Sequence, residues 1–107
     1  MSEQLDKIFE ELQKRFKRDV FDKKVVYYFS LGNTEDDKYT VYVDNEKCTV
    51  KKGKHTDNAD CVVKTSVEMF IRIVKEGYEP DLSDGLFGRF KTNDPSLLLK
   101  FKRAVMD

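Results

Sequence analysis

The chain has 107 residues, room for one domain and one modest core. Hydrophobic residues make up 39% and charged residues 37%, and 20 basic side chains cancel 20 acidic ones, a balance that together with periodic apolar positions excludes a disordered chain. Zero net charge removes the counterion release that drives non-specific nucleic-acid binding, and no stretch approaches the ~20 apolar residues that span a bilayer.

Residues 3–20 are predicted to form an amphipathic helix, with Leu5, Ile8, Phe9, Leu12 and Phe16 on one stripe and a charged opposite side. Val25 to Leu31 is a β-branched and aromatic strand. Its odd and even positions are both largely apolar, as expected of a central strand covered at least partly on both faces. Gly32-Asn33 and the acidic run Glu35-Asp36-Asp37 form a turn. Tyr39 to Val43 alternates strictly and makes a second strand, Asp44-Asn45-Glu46 turns the chain, and Lys47 to Lys52 returns it. The three strands read as an antiparallel meander. The basic stretch Lys51-Lys52-Gly53-Lys54-His55 reads as a solvated hairpin end, with contact to an anionic headgroup as the functional alternative. His55, the single histidine, has no nucleophile beside it in sequence and is given no chemistry.

Cys61 to Thr65 is a fourth strand running directly into a helix. Thr65 or Ser66 caps that helix, Thr65-x-x-Glu68 having the spacing of a capping box, and Gly77 suits its left-handed stop. Val67, Met69, Phe70, Ile71, Ile73 and Val74 cover an arc of roughly 200° at about 100° per residue, about twice what a helix lying on a sheet needs. The surplus must meet another helix or a ligand. Residues 78–88 form a connection that carries Leu82, Leu86 and Phe87 beside Pro80 and Gly85; such residues either plug the core or close over a ligand as a lid. Arg89-Phe90-Lys91 is a short fifth strand. Asp94-Pro95 opens the last helix as cap and first position. Leu97, Leu98, Phe101, Ala104 and Val105 form its buried face, with Leu99 and Met106 on the far side.

Two cysteines are too few for a secreted disulfide framework, and with His55 they fit no metal-ligand spacing. Cys48 and Cys61 read as buried thiols. No glycine-rich phosphate loop, dinucleotide fingerprint or nucleophile elbow occurs, so neither cofactor, metal nor covalent chemistry is expected. The N-terminal acids Glu3, Asp6 and Glu10 argue against a mitochondrial presequence, and Ala104-Val105-Met106-Asp107 matches no peroxisomal or prenylation signal, so a cytoplasmic protein is expected.

The order of these elements, together with several short motifs, resembles the sterol carrier protein 2 (SCP2-type sterol-binding) domain family over nearly the whole chain. The likeness is carried by Phe29-Ser30-Leu31-Gly32, by Tyr39-Thr40-Val41-Tyr42-Val43, and above all by Ala59-Asp60-Cys61-Val62-Val63-Lys64-Thr65-Ser66. Phe70, Gly77, Pro80, Gly88-Arg89-Phe90-Lys91 and Asp94 follow in the family's order, while Asn45-Glu46 departs from its usual asparagine-glycine turn. The resemblance implies an α+β fold: a five-stranded, mostly antiparallel sheet with helices packed on one face, enclosing an apolar tunnel for fatty acids, acyl-CoAs or sterols. It also implies carriage without catalysis. Its rival is the same fold with a filled core, acting as a non-catalytic interaction or accessory module. In the carrier, the lipid is expected against Phe70, Ile73 and Val74 of the middle helix. Leu82, Leu86 and Phe87 form its lid, and Leu98, Phe101 and Val105 of the last helix close the far end. The expected partner is thus a lipid or fatty-acyl ligand and not nucleic acid; a local basic patch leaves room for transient membrane contact.

Overall fold

The computed structural model describes residues 2–34, 37–79, 88 and 90–105. The expected lid residues Leu82, Leu86 and Phe87 lie outside these, as do Pro80, Arg89 and Met106. Among the described residues, three helices and five strands run in the order α1 (Ser2–Arg15), β1 (Val25–Ser30), β2 (Lys38–Val43), β3 (Cys48–Lys52), β4 (Cys61–Thr65), α2 (Val67–Glu76), β5 (Phe90–Thr92) and α3 (Pro95–Val105). The sheet order is β3-β2-β1-β4-β5, which puts β1 at the centre. β1, β2 and β3 form the expected antiparallel meander, with Tyr27 opposite Val41 and Val41 opposite Val50. β5 pairs antiparallel with β4, and β4 pairs parallel with β1.

That parallel pair changes the reading of the basic stretch. β4 does not return beside β3: Lys51 and Lys52 end β3 in its pair with β2, and from Gly53 on the stretch begins a crossover. The chain leaves β3 at one edge and crosses β2 and β1 to reach β4, because parallel strands require a crossover. It crosses on the face away from the helices. The Thr40 hydroxyl, fully buried, donates to the Gly53 carbonyl at 2.8 Å and accepts from the His55 amide at 3.0 Å. Lys54 lies over the Tyr28 ring at 5.6 Å. Central β1 is therefore covered on both faces, by helices on one and by this crossover on the other.

The helices share the opposite face. α1 buries Leu5, Ile8, Phe9 and Leu12, each at most 3% exposed. It ends at Arg15, short of the predicted end at Val20. The Lys17 amide leaves the helix to donate to the Ala104 carbonyl at 2.8 Å, and Asp19 takes a left-handed φ of 68°. Phe16 keeps its place on the apolar stripe by stacking on Phe21 beyond the helix end. α2 is capped by Ser66, whose hydroxyl accepts from the Met69 amide at 3.0 Å. With Ser66 as cap, Glu68 falls in the first turn one position short of a capping box, where its charge complements the helix dipole instead. Gly77 stops the helix at φ 69°, a conformation cheap only for glycine. α3 starts as expected: the Asp94 carboxylate accepts from the Leu97 amide at 3.1 Å, ahead of Pro95.

Rings fill the space between helices and sheet. Phe9 stacks on Tyr39 at 4.2 Å and on Phe70 at 5.2 Å, and meets Phe29 edge-on at 5.5 Å. Phe29 and Tyr27 both contact Phe101, at 5.6 and 4.8 Å. The buried Tyr27 hydroxyl donates to the Leu97 carbonyl at 2.6 Å, tying the central strand to α3. Burial pushes that phenol well above its ordinary range.

Candidate functional site

Beneath β4 and β5 the ring packing stops and a cavity of about 790 Å3 opens. Its back wall is Phe29, Phe70 and Phe101, and the sheet contributes Val63 and Phe90. Strand alternation explains these last positions: Phe29 is level with Val63, and Phe90 with Thr65, on the helix-facing side. Ile73 of α2 and Leu98 of α3 complete the apolar lining, with Leu99 at the rim. The charged groups stand at the rim, Glu79, Lys91 and Lys102, while Thr92 lies inward, level with Val63. Lys102 and Glu79 form an ion pair at 3.9 Å; Glu79 is 84% exposed, which makes the pair weak. Among the described residues no buried side-chain nitrogen or oxygen lacks a hydrogen-bond partner. The cavity therefore offers a mainly apolar interior and its charge only at the mouth.

Of the positions expected around a lipid, Phe70, Ile73, Leu98 and Phe101 come together on this wall. Val74 and Val105 do not. Val74 points the other way, into a separate cleft between α1 and α2 beside Ile8 and Leu12. Val105 is 1% exposed inside the packed core. Leu99, placed on the far side by helical periodicity, is half exposed yet borders the cavity because that side of α3 runs along its mouth. Phe29, Val63 and Phe90 were absent from the expected lining: an inward strand residue reads as core, and nothing in alternation distinguishes one facing a void. These residues outline a cavity with an open rim; a continuous tunnel is not outlined among them.

The basic stretch does not converge on one ligand. Lys51 lies over the Tyr42 ring at 5.6 Å, Lys52 reaches Asp6 at 3.4 Å on the helix side, and Lys54 pairs with Asp57 at 3.7 Å. His55 is exposed, with its ring Nε2 2.6 Å from the Lys52 carbonyl oxygen. Both cysteines are buried and free. Burial pushes the Cys48 thiol up to about 12 and raises the Cys61 thiol as well, so both are inert at neutral pH. Among the described residues no three His, Cys, Asp or Glu side chains gather to hold a metal ion, and no helix is long and apolar enough to cross a membrane.

No family model and no curated protein matches this chain in sequence. Solved structures do match it in fold. Sterol Carrier Protein 2 Like 2 from Aedes aegypti superposes with a TM-score of 0.58 at 19% identity, over 94% of this chain and 95% of that one. The palmitated form of SCP2L2 from the same organism gives 0.57 at 20% identity, over 95% and 94%. The sec-alkylsulfatase Pisa1 from Pseudomonas sp. gives 0.72 at 16% identity over 90% of this chain, which spans only 15% of that enzyme. The helix-covered five-stranded mixed sheet is of the sterol carrier protein 2 fold.

Proposed function

We propose that this protein binds and carries an apolar ligand, a fatty-acyl or sterol-like lipid, by burying it in the cavity beneath β4 and β5. The observation that carries the reading is the cavity itself: about 790 Å3, within the ~300–1,000 Å3 typical of small-molecule sites. Its walls are mainly apolar and its charge is confined to the rim. Phe70, Ile73, Leu98 and Phe101 are the proposed lipid contacts from the helices, joined by Phe29, Val63 and Phe90 from the sheet. Leu82, Leu86 and Phe87 remain the proposed lid. The palmitated state of SCP2L2 supports a fatty-acyl ligand. The work is done by transfer of the chain out of water, at about 0.8 kcal/mol per methylene, and no covalent step is assigned. Two buried free thiols suit a reducing compartment, and we place the protein in the cytoplasm.

Native mass spectrometry of the protein purified from cells tests this, with displacement of a fluorescent fatty acid as the companion assay. A retained lipid, or saturable displacement at micromolar concentration, is the expected result. Folded protein that retains nothing and displaces nothing across medium to long chains would end the carrier reading. A second reading would then stand, an accessory module within or beside a larger enzyme. The match to a small part of Pisa1 favours it.

A further inference from the structure

On the face of the sheet away from the helices, one row runs across four strands. Lys38 is level with Ser30, Ser30 with Lys64, and Lys64 with Lys91. Even-numbered residues of β1 point away from the helices, so register places all three lysines on the same side. Lys64 and Lys91 stand directly opposite each other on an antiparallel pair, an arrangement that costs stability because like charges face at close range. The row borders another cavity, of about 480 Å3, lined also by Ser30, Gly32, Asn33, Thr65 and Ser66 and, among the described residues, by no acidic one.

Some lysines elsewhere pair with acids, Lys14 with Glu10, Lys52 with Asp6, Lys54 with Asp57 and Lys102 with Glu79, while others such as Lys51 stand apart from any described acid. Among the described residues, Lys38, Lys64 and Lys91 have no such partner. Three cations share the row, and the described acid nearest to it, Asp37, lies against Gly32 at the Lys38 end and away from Lys64 and Lys91 on the strands beyond β1. Lys38 is also held in place, its ammonium donating to the Ser30 hydroxyl at 2.7 Å and to the Gly32 carbonyl. An ammonium fixed in this way loses little further freedom when an anion arrives.

We infer that Lys38, Lys64 and Lys91 form a binding site for a phosphate-bearing anion. Lysine ammoniums act as point charges toward phosphate oxygens, and a doubly charged group bridging Lys64 and Lys91 turns their repulsion into attraction. Ser66 already caps α2 through its hydroxyl, so the lysine row and not the helix end carries the site. Lys91 borders both this cavity and the apolar one. The phosphate therefore comes either as a free anion or as the head of the lipid whose chain fills the apolar cavity. The second source rests on the carrier reading and the first does not.

Inorganic diphosphate titrated at low salt, followed by backbone amide shifts, tests the site without any lipid. Saturable shifts at Lys38, Lys64 and Lys91 are expected, with affinity falling at least about tenfold in Lys64→Gln/Lys91→Gln and little in Lys51→Gln/Lys54→Gln. No saturable shift, or equal weakening in both double variants, would overturn the inference in favour of unspecific charge screening. Circular dichroism verifies that both variants fold, and loss of the facing charges should leave the first no less stable. Binding of 1-oleoyl-lysophosphatidate against mono-oleoylglycerol then identifies the source. Tighter lysophosphatidate binding, abolished as a preference in Lys64→Gln/Lys91→Gln, makes head and chain one ligand; equal binding with diphosphate still bound makes the anion a separate one. Failure of both lipids with diphosphate still bound would strike the carrier reading and leave the anion site standing.

Discussion

The two halves of the sheet are built from the same kinds of residue and end in different states. Over β1 and β2 the inward positions are filled: Tyr39, Val41 and Val43 are at most 2% exposed, and α1 lays Leu5, Ile8, Phe9 and Leu12 into them. Over β4 and β5 the packing thins. Phe90 is only half-buried, Leu98 likewise, and Leu99 on α3 is 50% exposed. The boundary is the row of rings Phe29, Phe70 and Phe101, which belongs to both halves. On one side these rings are held by Phe9 and Tyr27; on the other they face the cavity. The difference teaches that such a cavity depends on the half that is full. A void in a close-packed interior forfeits contacts along its whole lining, and it survives only where its wall cannot move inward.

The strongest way to break this comparison is to remove the support. Phe9→Ala deletes a ring that contacts Phe29, Tyr39 and Phe70, and should cost about 3–5 kcal/mol in urea unfolding. Phe70 would then lean into the vacancy, so binding of a fluorescent fatty acid should weaken in the variant even where it remains folded. Leu98→Ala, across the boundary, already faces open space and should cost less than the ~2 kcal/mol at which buried leucine truncations begin. Equal losses from the two would erase the distinction between the halves.

Adding volume probes the same boundary from the other direction. Val105→Phe places a ring where a 1% exposed side chain is already enclosed, and should destabilise by about 1–3 kcal/mol through overpacking. Leu98→Phe extends into the cavity instead, leaving unfolding nearly unchanged while reducing the chain length of lipid accepted. A Leu98→Phe protein as unstable as Val105→Phe would show that the space beneath β4 and β5 is not free.

The filled half was legible in the sequence and the cavity only partly so. The stripe of α1, the alternation of β2 and the caps Asp94 and Gly77 are local patterns, and each specifies its element without knowledge of neighbours. The wide apolar arc of α2 was legible too, but not how it would be shared. Phe70 goes to Phe9 and Phe29, Ile73 to the cavity, and Val74 to the cleft beside α1. Those destinations depend on where α1 crosses, a long-range fact with no trace in local periodicity. The parallel pairing of β1 with β4 escaped for the same reason, since a strand's pattern does not name its partner. The sequence of the basic stretch accordingly shows a solvated hairpin end, which Lys51 and Lys52 are, but not that the chain from Gly53 on crosses the sheet.

Alkaline pH probes the filled half through its thiol. Burial pushes Cys48, in the filled half, from an ordinary value of 9.0 up to about 12. The native state therefore keeps its proton where the unfolded chain has lost it, and stability falls as pH rises. This contribution is fully present below pH 9.0 and is lost on rising through about 12. Urea midpoints measured across that window should decline in the wild type and decline less steeply in Cys48→Ala. A slope unaffected by the substitution would assign the loss to other groups, the buried Tyr27 phenol first among them, since it too is raised by burial.

The smallest effect is expected on the outer face of the filled half, at His55. The crossover is fastened there by main-chain groups: the His55 amide and the Gly53 carbonyl both bond the buried Thr40 hydroxyl. Neither bond uses the imidazole, and both survive in His55→Ala. What the substitution removes is the exposed contact from Nε2 to the Lys52 carbonyl oxygen, a carbonyl that water reaches once the ring is gone. The change in unfolding free energy should therefore stay within about 0.5 kcal/mol. The ring is also separated from the apolar cavity by the full thickness of the sheet, so fatty-acid displacement should be indistinguishable from wild type. A marked loss of stability would mean that the imidazole, not the backbone around Thr40, holds the crossover against the sheet. A loss of binding with stability intact would place part of the ligand on the outer face and undo the assignment of the site to the half beneath β4 and β5.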